Sequence, residues 1–363
     1  MRVMMGPKIT GPGGNPYFDR LSSSLERHGV TVDEYWRRNS LDGYDIIHMH
    51  FPTLVIRWAS LGNALSDIVR TLGYTQLARL RGARVVWTVH DLGHHERVNL
   101  WLQRIYDAAF ASCVDGVISL TEAAVPMIRQ QFPQVRDLPI DVVPHGHYRD
   151  EYPIAGLTRD EARAKLGIEA DGPVILAFGQ LRPYKAVERL IGTFRTESQP
   201  SSRLLVVGKA PDAAYGKRVE AAAAGDDRVI VSIEKADDEK AALLVTACDL
   251  VWAAYPPGTS LNSGVAFLAL SLNRPVAVRD TPVMRELAHI VGDEWVQLVP
   301  EGGDEVALKR AMDSPVRVDE STTPDLSVLD WEPIARQTIE AYDRVLQRGR
   351  AKRFFTRFAR AMR

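Results

Sequence analysis

The feature that most limits what this chain can become is an alternation. Short β-branched and apolar runs are each followed by a segment of helical period, in two series parted by a polar stretch. The first series holds strand candidates at Arg2–Met5, Val30–Tyr35, Asp45–His50, Arg84–Val89, Gly116–Ser119 and Ile140–Val143. The last four are nearly continuous apolar runs, which predicts strands buried on both faces. Around Asp150–Asp171 the pattern breaks into polar sequence with one short helix, opened by Thr158 and Glu161 as a capping box. The second series follows at Val174–Gly179, Arg203–Gly208, Arg228–Ile233, Leu250–Ala254 and Pro275–Val278. This predicts an α/β architecture of two Rossmann-like domains with parallel sheets, joined near residues 150–172. Residues 1–150 form the first domain, 151–335 the second, and 336–363 a C-terminal helix and basic tail that can cross back to the first. Ligands of such folds sit at the carboxyl ends of the strands, here the cleft between the domains.

Composition narrows the function classes. A chain of 363 residues with 45% hydrophobic and 25% charged residues has the mix of a soluble globular protein and suits two domains. Its first residues are too short an apolar stretch for a secretory leader, and no run approaches the ~18 apolar residues of a membrane span. Cys113 and Cys248 cannot make a disulfide framework or a cysteine zinc site, so a cytoplasmic setting is expected. Eight basic residues and no acidic one fall between Arg344 and Arg363, leaving 37 basic against 46 acidic residues in 1–343. An acidic body with a basic tail argues against a nucleic-acid partner.

Four segments carry chemistry. Gly11-Pro12-Gly13-Gly14-Asn15-Pro16 follows the first strand, but Pro16 stands where the dinucleotide fingerprint needs its last glycine. What remains is a glycine loop feeding a helix, with Asn15 as N-cap and Pro16 at the first helical position. Bare backbone at Gly13 and Gly14 lets an anion approach that helix; a mere tight turn reads equally well. Thr88-Val89-His90-Asp91 ends a strand, with His94, His95 and Glu96 just beyond. These lack the helical spacing of a zinc-protease motif, and no Asp-x-Asp triplet occurs anywhere, so His90 is read as a polar cleft group and no metal is expected. In Gly179-Gln180-Leu181-Arg182-Pro183-Tyr184-Lys185, two cations lie before a helix, where the helix dipole disfavours them unless an anion joins them. Finally, Thr259-Ser260-Leu261-Asn262-Ser263-Gly264 gathers hydroxyls, an amide and a glycine at a helix start, with no carboxylate between Leu250 and Arg279.

Together these segments resemble the GT-B glycosyltransferases of family 4. The likeness rests on Gly13–Gly29, Thr88–Asp91, Val143–Gly146, Gly179–Lys185 and Thr259–Pro275, in matching order over nearly the whole chain. The strings Asn15-Pro16-Tyr17, Pro144-His145-Gly146-His147-Tyr148 and Gly179–Lys185 are most similar to bacterial mannosyltransferase-like members. The resemblance implies retaining, metal-independent transfer of a hexose, mannose from GDP-mannose, to a glycan or glycolipid hydroxyl, with no cofactor beyond the nucleotide-sugar substrate. It implies that Arg182 and Lys185 hold the donor diphosphate and stabilise the leaving group, and that His90 meets the transferred sugar. Asn262, Ser263 and Gly264 would meet phosphates or sugar, with Gly13, Gly14 and Ser260 completing the donor set. Asn15, Tyr17, Asp91 and His145 are the candidates for acceptor contact. One departure stands out: the two positions of the family's Glu-x7-Glu pattern hold Ser260 and Leu268.

Two other readings use the same plan. A sugar-nucleotide epimerase or phosphorylase would need a carboxylate pair or a cofactor lysine in the cleft; a non-catalytic nucleotide-sugar binder would explain the missing glutamates. In the tail, Phe354, Phe358 and Met362 recur every four residues among Arg350, Lys352, Arg353, Arg357, Arg360 and Arg363. An aromatic stripe with a cationic rim reads as a peripheral contact of 350–363 with the inner membrane face. Docking on the first domain and a frayed tail are the competing readings.

Overall fold

The computed structural model describes residues 1–8, 15–35, 40–52, 56, 60–93, 99–149, 151–152, 156–169, 171–197, 199–256, 261–313 and 322–361, with side chains to Gly349. The first sheet holds β1 (Arg2–Gly6), β2 (Thr31–Glu34), β3 (Ile46–Met49), β4 (Arg84–Val89), β5 (Gly116–Ser119) and β6 (Ile140–Val142). The second holds β7 (Val174–Phe178), β8 (Arg203–Val207), β9 (Val229–Ser232), β10 (Leu250–Ala253), β11 (Val276–Arg279) and β12 (Val296–Val299). Their orders are β2-β1-β3-β4-β5-β6 and β12-β11-β10-β7-β8-β9, and every pairing is parallel. Each order reverses direction beside its first strand, so the loops after β1 and β7 open at the switch points where such folds bind ligands.

The helices are α1 (Tyr17–Arg27), α2 (Leu61–Leu80), α3 (Leu100–Ala111), α4 (Ala124–Gln131), α5 (Arg159–Leu166) and α6 (Val187–Glu197). Then come α7 (Ala213–Ala223), α8 (Asp238–Ala247), α9 (Gly264–Ser271), α10 (Pro282–Val291), α11 (Asp304–Asp313) and α12 (Trp331–Ala361). Leu21 and Leu25 bury the inner face of α1, and Gly29, at φ 78°, takes the left-handed turn that ends it. Thr158 and Glu161 form the expected capping box on α5. The last helix returns to the first sheet: Ile334, Ala335, Tyr342 and Val345 are buried, and α12 packs on α1, β4 and β5. Gly146 lies under the Trp331 ring, where an added Cβ would sit 2.4 Å from Trp331 Cε2, and Trp331 Nε1 donates to His147 O at 2.7 Å. Only a bare backbone lets the chain pass beneath that indole.

Four expectations need correction. β6 is half-buried along its length, because it is an edge strand with a neighbour on one side only. β12 follows β11 and closes the other edge; its Val-Gln-Leu-Val is too short and mixed to stand out as an apolar run. α1 begins one residue late, with Pro16 as the flanking residue, although Asn15 Oδ1 still accepts from Tyr17 N at 3.0 Å. Lys185 belongs to a separate 3-10 turn, Pro183–Lys185, which Ala186 at φ 49° divides from α6.

Candidate active site

Short parallel strands deliver their loops to one edge, and the loops after β4 and β10 meet there. Leu261 N donates to His90 O at 3.1 Å, a backbone bond from one half of the chain to the other. Asn15 Oδ1 accepts from the Tyr148 hydroxyl at 2.7 Å. A Cβ on Gly264, the first residue of α9, would stand 3.7 Å from Asn15 Nδ2 and 4.0 Å from that hydroxyl. The start of α1 therefore faces the start of α9. Ser263 caps α9 by accepting from Ala266 N at 3.3 Å, and Asn262 Oδ1 accepts from Ser263 N at 2.9 Å.

On the first-sheet side a cluster of imidazoles lies at the ends of β3 and β4. His48 bridges the Tyr342 hydroxyl of α12 and Thr88 Oγ1, each at 2.7 Å. His50 Nδ1 meets His90 Nε2 at 3.1 Å. Burial, and then the neighbouring imidazoles, hold His50 and His90 well below the usual histidine range; burial alone brings His48 to about 3. All three are neutral near pH 7. Among the described residues the buried His50 Nε2 has no partner, and a bare lone pair there costs less than an orphaned N–H. That assigns the His50 proton to Nδ1, donated to His90 Nε2, so His90 carries its own proton on Nδ1. Tyr17 and His145 are buried in the wall behind it, with Tyr17 against both rings at 5.3 Å and 4.6 Å. His145 stacks on Phe267 at 4.1 Å and donates Nδ1–H to Gly146 O at 2.8 Å.

The second-sheet side is cationic. Lys185 turns back from its 3-10 turn so that Nζ lies 4.6 Å from the Tyr255 ring centroid and beside Gly179 and Val265 in the first turn of α9. Burial, and then the charge of Arg182, pull its pKa down to about 8. Among the described residues no carboxylate pairs with it. Arg182 is more exposed, and its guanidinium donates to Gln180 Oε1 at 3.2 and 3.0 Å. Burial first, and then the charge of Asp91, raise the pKa of the Tyr184 hydroxyl. Gly208 backs this loop so closely that a Cβ would fall 1.7 Å from Gly179 O.

The structure thus gathers Asn15, Tyr17, His90, Asp91, His145, Arg182, Lys185, Asn262, Ser263 and Gly264 around one cleft. Gly13, Gly14, Ser260 and the His94–Glu96 cluster lie outside the described residues. Leu268, in the Glu-x7-Glu register, is buried in the core as part of α9. Sequence reasoning missed His50, whose signal was the two-residue spacing of His48 and His50 at a strand end. It missed Tyr255, whose buried hydroxyl has no hydrogen-bond partner among the described residues. It also missed Arg279, whose guanidinium donates to Ala254 O, Tyr255 O and Pro300 O and pairs with Asp304 at 2.6 Å, so holding the loop that carries Tyr255.

No family model matches the chain. Among curated proteins it is 30% identical over 351 residues, 94% of each chain, to a GDP-mannose:glycolipid 4-beta-D-mannosyltransferase of Xanthomonas campestris pv. campestris. Among solved structures it is similar to sucrose-phosphate synthase of Thermosynechococcus elongatus, at 18% identity and TM-score 0.66 over 96% of this chain and 99% of that one. It is also similar to Anabaena HepE in complex with UDP and glucose, at 16% identity and TM-score 0.63 over 96% and 98%. The two six-stranded parallel sheets match those folds, and the full-length likeness to the Xanthomonas enzyme settles the kinship: the chain belongs to the bacterial mannosyltransferase family of GT-B glycosyltransferases.

Proposed function

We propose that the chain transfers mannose from GDP-mannose to a hydroxyl of a glycolipid. The observation that carries this is Lys185, a half-buried, desolvated ammonium without a carboxylate partner among the described residues, beside Gly179 and close to the first turn of α9. A buried cation is costly until an anion joins it, and a sugar-nucleotide diphosphate supplies two phosphates at that point. The relative's name supports the donor and the acceptor class.

For stereochemistry the proposal takes inversion rather than the retention expected from family 4. GDP-mannose carries its phosphate on the α face, and the relative's name specifies a beta product. One displacement then suffices. The acceptor oxygen attacks C1 while its proton passes to the Asp91 carboxylate. The bond from C1 to the phosphate oxygen breaks, and GDP leaves with its charge held by Arg182 and Lys185. The Nδ1–H of His90 orients a sugar hydroxyl. These two cations take the charge that a divalent metal would otherwise carry, so transfer is metal-independent. No described helix is long and apolar enough to cross a membrane. Contact of 350–363 with the membrane face remains part of the proposal for a lipid-linked acceptor. The test is the anomeric configuration of the mannoside formed from GDP-mannose in excess EDTA. A β-mannoside supports the mechanism; an α-mannoside restores retention, and activity recovered only with manganese or magnesium overturns metal independence.

A further inference from the structure

Thirteen large apolar side chains are exposed among the described residues, and eight of them lie on α2 and α3. Leu61, Leu65, Val69 and Leu80 fall within about 100° of one face of α2, at 100° per residue, and Leu77 widens that face. On α3, Leu100, Trp101 and Ile105 fall within about 140° of one face. Val69 is 69% exposed, Leu80 82% and Trp101 57%, so these are not edges of a core. The five others are scattered singly over the second half.

The fully exposed charges on this face are arginines, Arg70 and Arg104; of its carboxylates, Asp107 of α3 is half-buried beside Leu100 and Asp67 of α2 is fully buried. The crossovers β3–α2–β4 and β4–α3–β5 run in the same direction, so both helices cover one side of the sheet. The crossover through α1 runs the other way, and α12 packs on α1. Both helices start at the cleft edge, and α3 begins ten residues after His90.

We infer that the α2–α3 face is where the protein lies on an anionic membrane, with the cleft mouth at the surface of the bilayer. An apolar face with tryptophan and fully exposed arginines suits the boundary of lipid headgroups. A second copy fits it less well, because a two-fold pairing sets exposed arginines against arginines with only the half-buried Asp107 to offset them. Membrane contact stands on this face alone; that the bilayer holds the acceptor rests on the proposed function. The sugar of a lipid-linked acceptor would then enter beside His90 while its chain stays in the leaflet.

The test is sedimentation of the full chain with phosphatidylcholine vesicles containing roughly a quarter phosphatidylglycerol, at low salt. Val69→Glu and Ile105→Glu change one exposed side chain on each helix and leave the tail intact. Each is expected to cut the partition coefficient severalfold, and the pair by roughly ten-fold or more. Transfer to a detergent-dispersed acceptor should hold while transfer to the same acceptor in vesicles falls. Equal pelleting of variants and parent, no pelleting of the parent, or a lipid-free dimer that Val69→Glu makes monomeric would each overturn the inference. Vesicle binding that depends on these residues without any GDP-mannose turnover would leave it standing and remove the mannosyl reading instead.

Discussion

Across the cleft, the first sheet presents His48, His50, His90 and His145, all buried and neutral, whereas the second presents Arg182, Lys185 and the capped start of α9. The first wall spends its polar groups on one another and on the sheet. The second keeps a half-buried ammonium beside Gly179 and the Tyr255 ring. Neutral imidazoles suit an uncharged sugar, which needs directional hydrogen bonds; a desolvated lysine suits a diphosphate, which needs charge. Under the proposed function, the separation means that the two substrates are read by different physics on opposing surfaces.

The sharpest way to break that comparison is Asp91→Asn. Loss of a general base should lower turnover by about 10²–10⁴-fold, with GDP affinity unchanged in calorimetry. Loss of GDP affinity instead would mean that the first wall also holds the donor. Next in size, Arg182→Ala and Lys185→Ala should each lower turnover at least ~100-fold, the scale of removing one preorganised donor of charge. Here donor affinity should fall as well. If both variants retain near-parental kinetics, the second wall is not the diphosphate site.

A pH profile sharpens the contrast. Lys185 titrates at about 8 in the free protein, so donor kcat/KM should fall as pH rises through 8, by up to about ten-fold per unit for one essential proton. Donor binding above that pH should take up a proton. Lys185→Arg should move the falling limb upward, and a limb that stays in place would assign it to another group.

The smallest expected effect is on acid stability. His48 and His145 are brought to about 3 and 4 by burial, with His50 and His90 also depressed, while the unfolded chain titrates near the ordinary value of 6.5. Between those limits the unfolded state binds more protons, so stability is full above 6.5 and falls with acid. The slope approaches about 1.4 kcal/mol per pH unit for each histidine involved. Melting temperatures from pH 7 to 5 check this, and a flat curve would mean that the imidazoles are hydrated.

The strands and their cleft-side loops were legible because apolar runs of four to six residues, punctuated by glycine and proline, have few other uses. Lys185 and Arg182 stood out because cations before a helix contradict its dipole. The partners of these groups were harder to read, since they come from distant sequence. Nothing near His90 announces His50, and nothing near Lys185 announces Tyr255. Leu268 shows the opposite case: its place in a family register pointed toward the donor, yet a helix apolar almost all round takes it into the core. The α2 face escaped notice because leucines at helical spacing are normally core, and only the fold shows which of them lack a neighbour.

The bond from Leu261 N to His90 O has a thermodynamic reach beyond its length of 3.1 Å. It joins the loop that leads into α9 to the loop that carries His90 and Asp91. On the proposed assignment, a donor that immobilises residues 261–264 also restrains the loop of His90 and Asp91, and an acceptor that orders Asp91 restrains the donor cradle. By reciprocity, whatever factor the first substrate adds to the affinity of the second must be returned equally, whichever arrives first. On that assignment donor and acceptor are coupled through one backbone contact, and no side-chain substitution can delete its N–H except proline at 261.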